Sequence, residues 1–362
     1  MPTRVLEVLG RSAGGIAKHV ATIQRALDGH DGFTVDVAGP PDLPIAMMRA
    51  PIDLEIPSGP LGHRAARRKL RELIAGGEYD VVHAHGLRAG MDAGRAAQST
   101  SSLRVVTIHN LVRADIVGAA RARAYQRAEK LAVRDNDRVL AVSQDIARHL
   151  EGRSPASHVE VMHLGIESPE GRRRTTGEVR RELKVPDAVP LLVTVARLDA
   201  QKALHVLIDA VKALQPLTAM VVGTGSLQTE LERRVTEAGI ADRFKLLGWR
   251  DDVSDLVAAA DVFCLSSVWE GVPLAAQEAI ALDTPVVATD VGGMRDLIED
   301  GVSGRLVPAG DPRSLAAAIS DVLDDPERAA GFARAAKAHL SEEFSTSRML
   351  DRLRTIYSAR RD

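Results

Sequence analysis

Short aliphatic runs alternate with longer amphipathic stretches along most of this chain. Val5–Leu9, Thr34–Val37, Val81–His83, Val105–Ile108, Val139–Val142 and Val159–His163 read as strands. They are aliphatic runs rather than strict alternations of apolar and polar residues, which suits strands covered on both faces. Most of the segments between them are helix-length and amphipathic, so the pattern predicts βαβ units building a parallel sheet. From Gly165 to Gly177 the texture changes to Gly, Ser, Pro and the run Arg172–Arg174, without apolar period, and reads as an interdomain linker. The rhythm restarts with Leu191–Ala196, Ala219–Gly223, Phe244–Gly248, Val262–Ser266 and Pro285–Thr289. Helices are expected over Leu315–Leu323, Pro326–Leu340 and Thr346–Arg361. The expected organisation is a first domain over 1–168, a linker over 169–177, a second domain over 178–345 and a terminal helix over 346–362. Two such halves facing each other make a cleft, the usual place for a ligand.

Composition narrows this picture. The chain has 362 residues, enough for two domains at roughly 150 residues each. Apolar residues make up 45% but aromatics only 3%, so the core is aliphatic, which favours α/β over an aromatic-rich sandwich. Lys and Arg number 47 against 49 Asp and Glu, a net charge of −2 that excludes a global basic excess of the nucleic-acid-binding kind. The balance is slightly positive before residue 170 and slightly negative after it. The one cysteine, Cys264, rules out an internal disulfide and any cysteine-based metal cluster, and fits a reducing cytosol. Met1–Gly10 lacks the pattern of a signal peptide, and no apolar run approaches the ~18–20 residues of a membrane span. The expectation is a soluble cytoplasmic protein, attached at most to a membrane surface.

Three motifs carry candidate chemistry. Gly14-Gly15-Ile16-Ala17-Lys18-His19 follows the first strand, where glycines admit close backbone approach and the next helix offers free amides to phosphate. It lacks the Gly-x-Gly-x-x-Gly spacing of a dinucleotide site, and a tight βα turn is the plain alternative. Arg197 and Lys202 lie on the loop between a strand and a helix, two cations at a helix N-terminus, as a diphosphate would require. The plain alternative is solvated surface charge. In Trp269-Glu270-Gly271-Val272-Pro273-Leu274-Ala275-Ala276-Gln277-Glu278, Pro273 fits the first turn of a helix. Glu270 then falls in the loop and Glu278 about two turns down, both able to accept from sugar or ribose hydroxyls.

Glu270-x7-Glu278, Arg197 with Lys202, the Gly14-Gly15 loop, Asp80-Val81-Val82-His83-Ala84-His85 and Val291-Gly292-Gly293 together resemble glycosyltransferase family 4, in order and spacing, across nearly the whole chain. The resemblance implies the GT-B fold: two Rossmann-like parallel-sheet domains facing across a cleft, with a C-terminal helix crossing back. It implies a retaining transferase for a nucleoside-diphosphate sugar, UDP before GDP on family habit, without an essential metal or cofactor. By position, Glu278 would bind ribose and Glu270 the donor sugar, while Arg197 and Lys202 neutralise the departing diphosphate with the Gly15 and Leu274 amides. His109, in Thr107-Ile108-His109-Asn110, matches the histidine that family members place beside the transferred sugar. Main-chain groups around Gly248–Arg250 would meet the base. The leaving phosphate itself would accept the acceptor's proton. The sequence departs from the family at Ala203, where glycine is common after the lysine, at Leu164-Gly165-Ile166-Glu167, and at Met294-Arg295-Asp296.

Weaker features have plainer explanations. Asp135-Asn136-Asp137 mimics an Asp-x-Asp metal motif but reads as a turn ending a helix. His83 and His85 share a strand face, and with no third ligand evident in sequence they suggest packing or acceptor contact rather than metal. Arg64, Arg67, Arg68 and Arg71 fall on one helical stripe, an ordinary solvated face or a contact for anionic lipid that would suit a lipid-linked acceptor. The partners expected are therefore a nucleotide-sugar donor and a hydroxyl acceptor, with no nucleic acid. The competing readings are a sugar-nucleotide epimerase, a nicotinamide oxidoreductase disfavoured by the missing glycine fingerprint, and a nucleotide-sugar binder without activity.

Overall fold

The computed structural model describes residues 2–11, 15–42, 49, 51–57, 59, 61–111, 119–151, 159–166 and 173–359. The chain forms two compact units, one of Met1–Glu167 with Phe344–Asp362 and one of Ser168–Glu343. Within the 169–177 range, residues 169–172 lie outside the described part. Arg173 and Arg174 are hydrogen-bonded through their amides to Asp255, and Thr175 caps the helix that follows with a reciprocal Glu178 contact.

In the first unit, strands β1 (Thr3–Leu9), β2 (Phe33–Gly39), β3 (Ile52–Asp53), β4 (Val81–His85), β5 (Leu103–Ile108), β6 (Arg138–Ala141) and β7 (Val159–Val161) form one sheet. Its order is β3-β2-β1-β4-β5-β6-β7 and every pairing is parallel. Helices α1 (Gly15–Leu27), α2 (His63–Gly77), α3 (Leu87–Ala96), α4 (Ala119–Arg134) and α5 (Gln144–Glu151) supply the crossovers. The second unit repeats the plan with β8 (Leu191–Val195), β9 (Thr218–Val222), β10 (Phe244–Gly248), β11 (Val262–Leu265), β12 (Val286–Thr289) and β13 (Arg305–Val307), in the order β10-β9-β8-β11-β12-β13. Its helices are α6 (Thr176–Glu182), α7 (Leu204–Lys212), α8 (Gln228–Glu237), α9 (Val253–Ala258), α10 (Leu274–Ala281), α11 (Met294–Leu297), α12 (Pro312–Asp324) and α13 (Pro326–Glu343). The expected aliphatic core is present: Leu192, Leu207, Val221, Val262 and Ile319 are among its buried members in the second unit.

Both sheets are Rossmann-like, and each has a point where strand order reverses. In the first it lies between β1 and β4, in the second between β8 and β11. Loops leaving the carboxyl ends of such a pair diverge and leave a crevice between them. The sequence pattern missed β3 and β13, two edge strands of two and three residues that are too short to show a period.

The final helix, α14 (Thr346–Ser358), belongs to the first unit although the whole second unit precedes it in sequence. It buries Met349, Leu350, Leu353, Ile356 and Tyr357. Its entry is pinned where Thr346 Oγ1 donates to the Ile166 carbonyl at 2.8 Å and Phe344 stacks on His163 at 4.2 Å. Gly165 permits this approach, since a Cβ there would stand 2.4 Å from Thr346 Cα. The expected extension to Arg361 runs past the observed end at Ser358, and residues 360–362 lie outside the described part.

Candidate functional site

The second unit's crevice is built from the loops after β8 and β11. Lys202 ends a short 3-10 turn, Ala200–Lys202, and its Nζ donates to Glu270 Oε1 at 2.5 Å. Ser267 Oγ donates to the same oxygen at 2.5 Å. Both partners are largely buried, with the lysine side chain 14% exposed and the glutamate 6%. A pair this sheltered is held in one geometry, and removing either member leaves the other charge poorly compensated. Ser266 Oγ and Gln201 tie the two loops together, the first to the Lys202 carbonyl at 2.9 Å and the second to the Trp269 carbonyl at 2.9 Å.

Two glycines explain how a third loop closes on this pair. Gly292 has φ +51, and a Cβ there would fall 1.8 Å from the Glu270 carbonyl oxygen. Gly293 donates its amide to the Gly271 carbonyl at 2.7 Å. Any larger residue at 292 would push the Glu270 loop away, which gives Val291-Gly292-Gly293 a physical reason. Ala203, the departure from glycine noted above, has φ +44 and ψ +41 and is buried. The backbone thus keeps the left-handed turn and the alanine Cβ strains it.

Arg197 lies on the same loop but is exposed, with its guanidinium 3.0 Å from Asp199 and 3.4 Å from Gln201. Pro273 is the N-cap of α10 rather than a residue of its first turn, with ψ 120, and no side chain caps this helix. The amide of Leu274 therefore opens the helix without an intrahelical acceptor. Glu278 is four residues on, one turn down α10 rather than two. Beside it Gln277 is fully buried, and neither atom of its amide has a partner. Gly248, at φ +70, accepts from the Gly223 amide at 2.8 Å at the end of β10. The Arg250 side chain is paired through Nε with Asp252 at 2.7 Å and through Nη2 with Glu182 at 2.9 Å, which raises its pKa. Trp249 between them is 76% exposed, one of the chain's 2 tryptophans, and the sequence reading passed over it.

The first unit's crevice contains histidines instead. Alternation along β1 and β4, paired Glu7 to His83, puts Glu7, His83 and His85 on one face. His85 Nε2 meets Glu7 Oε2 at 2.7 Å, and His85 Nδ1 meets His109 Nε2 at 3.2 Å. His83 is held by Thr107 Oγ1 at 2.7 Å and by the Tyr357 hydroxyl at 2.6 Å. That hydroxyl donates to Glu7 Oε1 at 2.7 Å. Burial pushes His83, His109 and His19 well below the usual imidazole pKa, and the neighbouring His85 pushes them further. Burial, then Glu7, raises the Tyr357 hydroxyl well above its usual range.

Glu7 is the third ligand that the sequence did not offer to His83 and His85, so the statement that none exists is corrected. Within the trio His85 Nε2 is at hydrogen-bond distance from Glu7 Oε2, 2.7 Å, while His83 Nδ1 lies 3.4 Å from the same oxygen; donors on one tetrahedral zinc at 2.0–2.1 Å would lie about 3.3 Å apart. Asp135, Asn136 and Asp137 end α4 as expected: Asn136 donates to the Ala132 carbonyl at 2.6 Å and Asp137 accepts from Arg104. Gly15 opens α1, the helix that carries His19 to within 5.6 Å of the His109 ring. The structure thus gathers His109 and Gly15 in one unit, and Lys202, Glu270, Arg197 and Leu274 in the other.

Residues 13–168 match the family described as Glycosyltransferase Family 4, and residues 176–339 match Glycosyl transferases group 1. The D-inositol 3-phosphate glycosyltransferase of Salinispora tropica is 31% identical over 84% of this chain and 68% of its own length. The lipopolysaccharide core biosynthesis glycosyltransferase LpsE of Rhizobium meliloti is 30% identical over 50% of this chain and 53% of its own. The fold is that of Anabaena Alr3699/HepE, solved in complex with UDP and glucose. It superposes with a TM-score of 0.82 at 24% identity, covering 98% of this chain and 99% of that one.

Proposed function

From the premise that the chain belongs to glycosyltransferase family 4 and is a glycosyltransferase of GT-B fold, we propose that it moves a hexosyl group from a nucleoside-diphosphate sugar, UDP before GDP, to a hydroxyl acceptor with retention. The observation that carries this reading is the sheltered Lys202–Glu270 pair beside the uncapped start of α10. Breaking a glycosyl phosphate builds negative charge on the leaving diphosphate and positive charge on the sugar. Lys202 and Arg197, with the amides of Gly15 and Leu274, answer the first. Glu270 orients the donor sugar, Glu278 the ribose, and main-chain groups at Gly248–Arg250 the base. His109, kept neutral by burial, stands beside the transferred sugar as a polar wall rather than a second cation. The leaving phosphate takes the acceptor's proton, and no metal is required.

The test mixes the protein with UDP-, GDP- and ADP-sugars and a panel of hydroxyl acceptors and follows nucleotide release. Acceptor-dependent release from a UDP-sugar, insensitive to chelator and lost in Glu270→Ala, is the expected result. Interconversion of the sugar without release would favour an epimerase, and binding without either would favour a non-catalytic binder. The names of the relatives span a phosphorylated polyol and a lipopolysaccharide core, so they leave the acceptor open.

A second proposal concerns location, and rests on the arginine stripe. Arg64, Arg67, Arg68 and Arg71 of α2 line one concavity of about 450 Å³. Arg67 is shared with a second, of about 280 Å³, that adds Arg95, Arg127 and Arg134. Leu61, just before α2, is 85% exposed. No helix among the described residues is long and apolar enough to cross a membrane. A cytoplasmic enzyme docking on anionic lipid through this face should bind anionic vesicles reversibly with salt. Binding unchanged after Arg67→Glu and Arg68→Glu would rule this out.

A further inference from the structure

Glu7 is fully buried inside β1, yet hydrogen bonds connect it to the crevice of the first unit through two imidazoles. At the carboxyl ends of β1, β4 and β5 lies a pocket of about 230 Å³, and His85 and His109 are among the residues that line it. The bonds from Glu7 to this pocket have a direction. A carboxylate only accepts, and a neutral imidazole has one donating and one accepting nitrogen. Tyr357 donates its single hydroxyl hydrogen to Glu7 Oε1 at 2.7 Å. Its oxygen therefore accepts from His83 Nδ1 at 2.6 Å, and His83 Nε2 accepts from Thr107 Oγ1 at 2.7 Å. His83 Nδ1 also stands 3.4 Å from Glu7 Oε2, in keeping with a proton on that nitrogen.

On the pocket side, His85 Nε2 lies 2.7 Å from Glu7 Oε2 and has to donate, so the lone pair of this ring is on Nδ1. His109 Nε2, 3.2 Å from that lone pair, is then the donor, and its own lone pair is on Nδ1. Burial favours the neutral form of His83 and His109, as this order of bonds requires. His19 stands edge-on to His85 and His109 at 5.3 and 5.6 Å, but neither of its ring nitrogens has a partner, so it takes no bond from the line. With Nε2 of His109 occupied by His85, Nδ1 is the nitrogen left for a ligand in the pocket. A lone pair there accepts from a hydroxyl and repels an ionised phosphate or carboxylate oxygen.

We propose that Glu7 and His85 are positioning residues that hold His109 in its Nε2–H tautomer, so that it meets a substrate hydroxyl only as an acceptor. The part played in transfer rests on the transferase reading above, whereas the tautomer does not. Glu7→Gln keeps the shape of the side chain and brings in an NH2 group. Turned toward His85, that donor reverses every bond beyond it: His85 Nε2 accepts, His85 Nδ1 donates, and the proton of His109 moves to Nδ1. Turned toward Tyr357, it makes Tyr357 donate to His83 and His83 donate to Thr107, whose hydroxyl hydrogen then loses its acceptor. The first orientation is the one that keeps every bond.

The first experiment needs no donor. Ring-15N histidine in the full chain, with the His85 and His109 signals assigned by substitution, reports which nitrogen carries the proton. At about pH 8, above the ordinary imidazole range, the wild type should show His109 protonated at Nε2 and Glu7→Gln should show it at Nδ1. The Nδ1 form in the wild type, or an unchanged His109 in Glu7→Gln, overturns the proposal. Tyr357→Phe removes a bond to the same carboxylate but leaves His85 its acceptor, so it should lose stability and keep the Nε2 form. In the transferase assay, Glu7→Gln should lower kcat/KM for the donor by at least about tenfold, and Tyr357→Phe should change it less than about twofold. Equal losses in the two variants, at a temperature where both are folded, mark a merely structural role and overturn it. Absence of transfer by the wild type would defeat the transferase reading instead, with the tautomers still deciding the assignment of Glu7 and His85.

Discussion

The two crevices occupy the same place in the same topology and are furnished in opposite ways. Between β8 and β11 stand a lysine–glutamate pair, an exposed arginine and an uncapped helix start. Between β1 and β4 stand a buried carboxylate, a chain of hydrogen-bonded histidines and a tyrosine delivered by α14. A shared backbone plan thus fixes where polar groups converge but not their charge. The sheltered cation in the second unit is affordable because Glu270 sits 2.5 Å away. The imidazoles of the first are fully packed, so burial keeps His19, His83 and His109 neutral.

The contrast can be broken from either side, and the largest effect is expected in the second unit. Lys202→Ala should lower nucleotide release by about 10²–10³-fold, the usual loss for one fixed group at a developing charge. A steady-state assay that finds less than a tenfold loss would place the key cation elsewhere. The next effect separates the units by acid. Histidines held neutral in the fold regain their ordinary pKa, near 6.5, when unfolded, so the unfolded state binds more protons below that value. The stability these three histidines allow is present above about pH 6.5 and is lost as pH falls toward their depressed folded pKa values. Hydrogen exchange at successively lower pH should show the first unit loosening before the second, and the reverse order would contradict the assignment. Tyr357→Phe tests the same unit without titration. It removes the donor to Glu7 and the partner of His83, and should cost about 1–3 kcal/mol in urea unfolding. The smallest change should be a gain. Ala203→Gly relieves a left-handed alanine and should raise stability by up to about 1 kcal/mol, a Tm increase of roughly 2–4 °C for a unit of this size.

Much of the frame was legible in the chain itself. Aliphatic runs bounded by turns marked every strand but β3 and β13, because burial on both faces demands such runs. That Lys202 and Glu270 each follow a strand of the second half was legible, but that they bond to one another was not. Helix entry at Pro273 was off by one residue, since proline suits either side of a helix start, and that shift helped place Glu278 a turn too deep. Glu7 was invisible as a functional candidate. One acid inside an aliphatic strand has no local signature, and its partners His83, His85 and Tyr357 meet it only through sheet register and a helix 350 residues later. His19 lay within the first glycine motif, but no spacing rule announces a buried imidazole without a partner. The pocket beside it depends on three loops converging, which single-sequence patterns do not encode.

That Tyr357 closes the first unit has a consequence for biosynthesis. A ribosome releases Glu7, His83 and His85 long before it makes α14, and the entire second unit is translated in between. The nascent first unit must carry its buried carboxylate and histidine face unfinished through that interval, open to water or to a chaperone. The hydroxyl that completes the network arrives only with the last turns of the last helix. Nascent chains stalled before residue 346 should therefore be protease-sensitive in the first unit, and chains released after Ser358 should not.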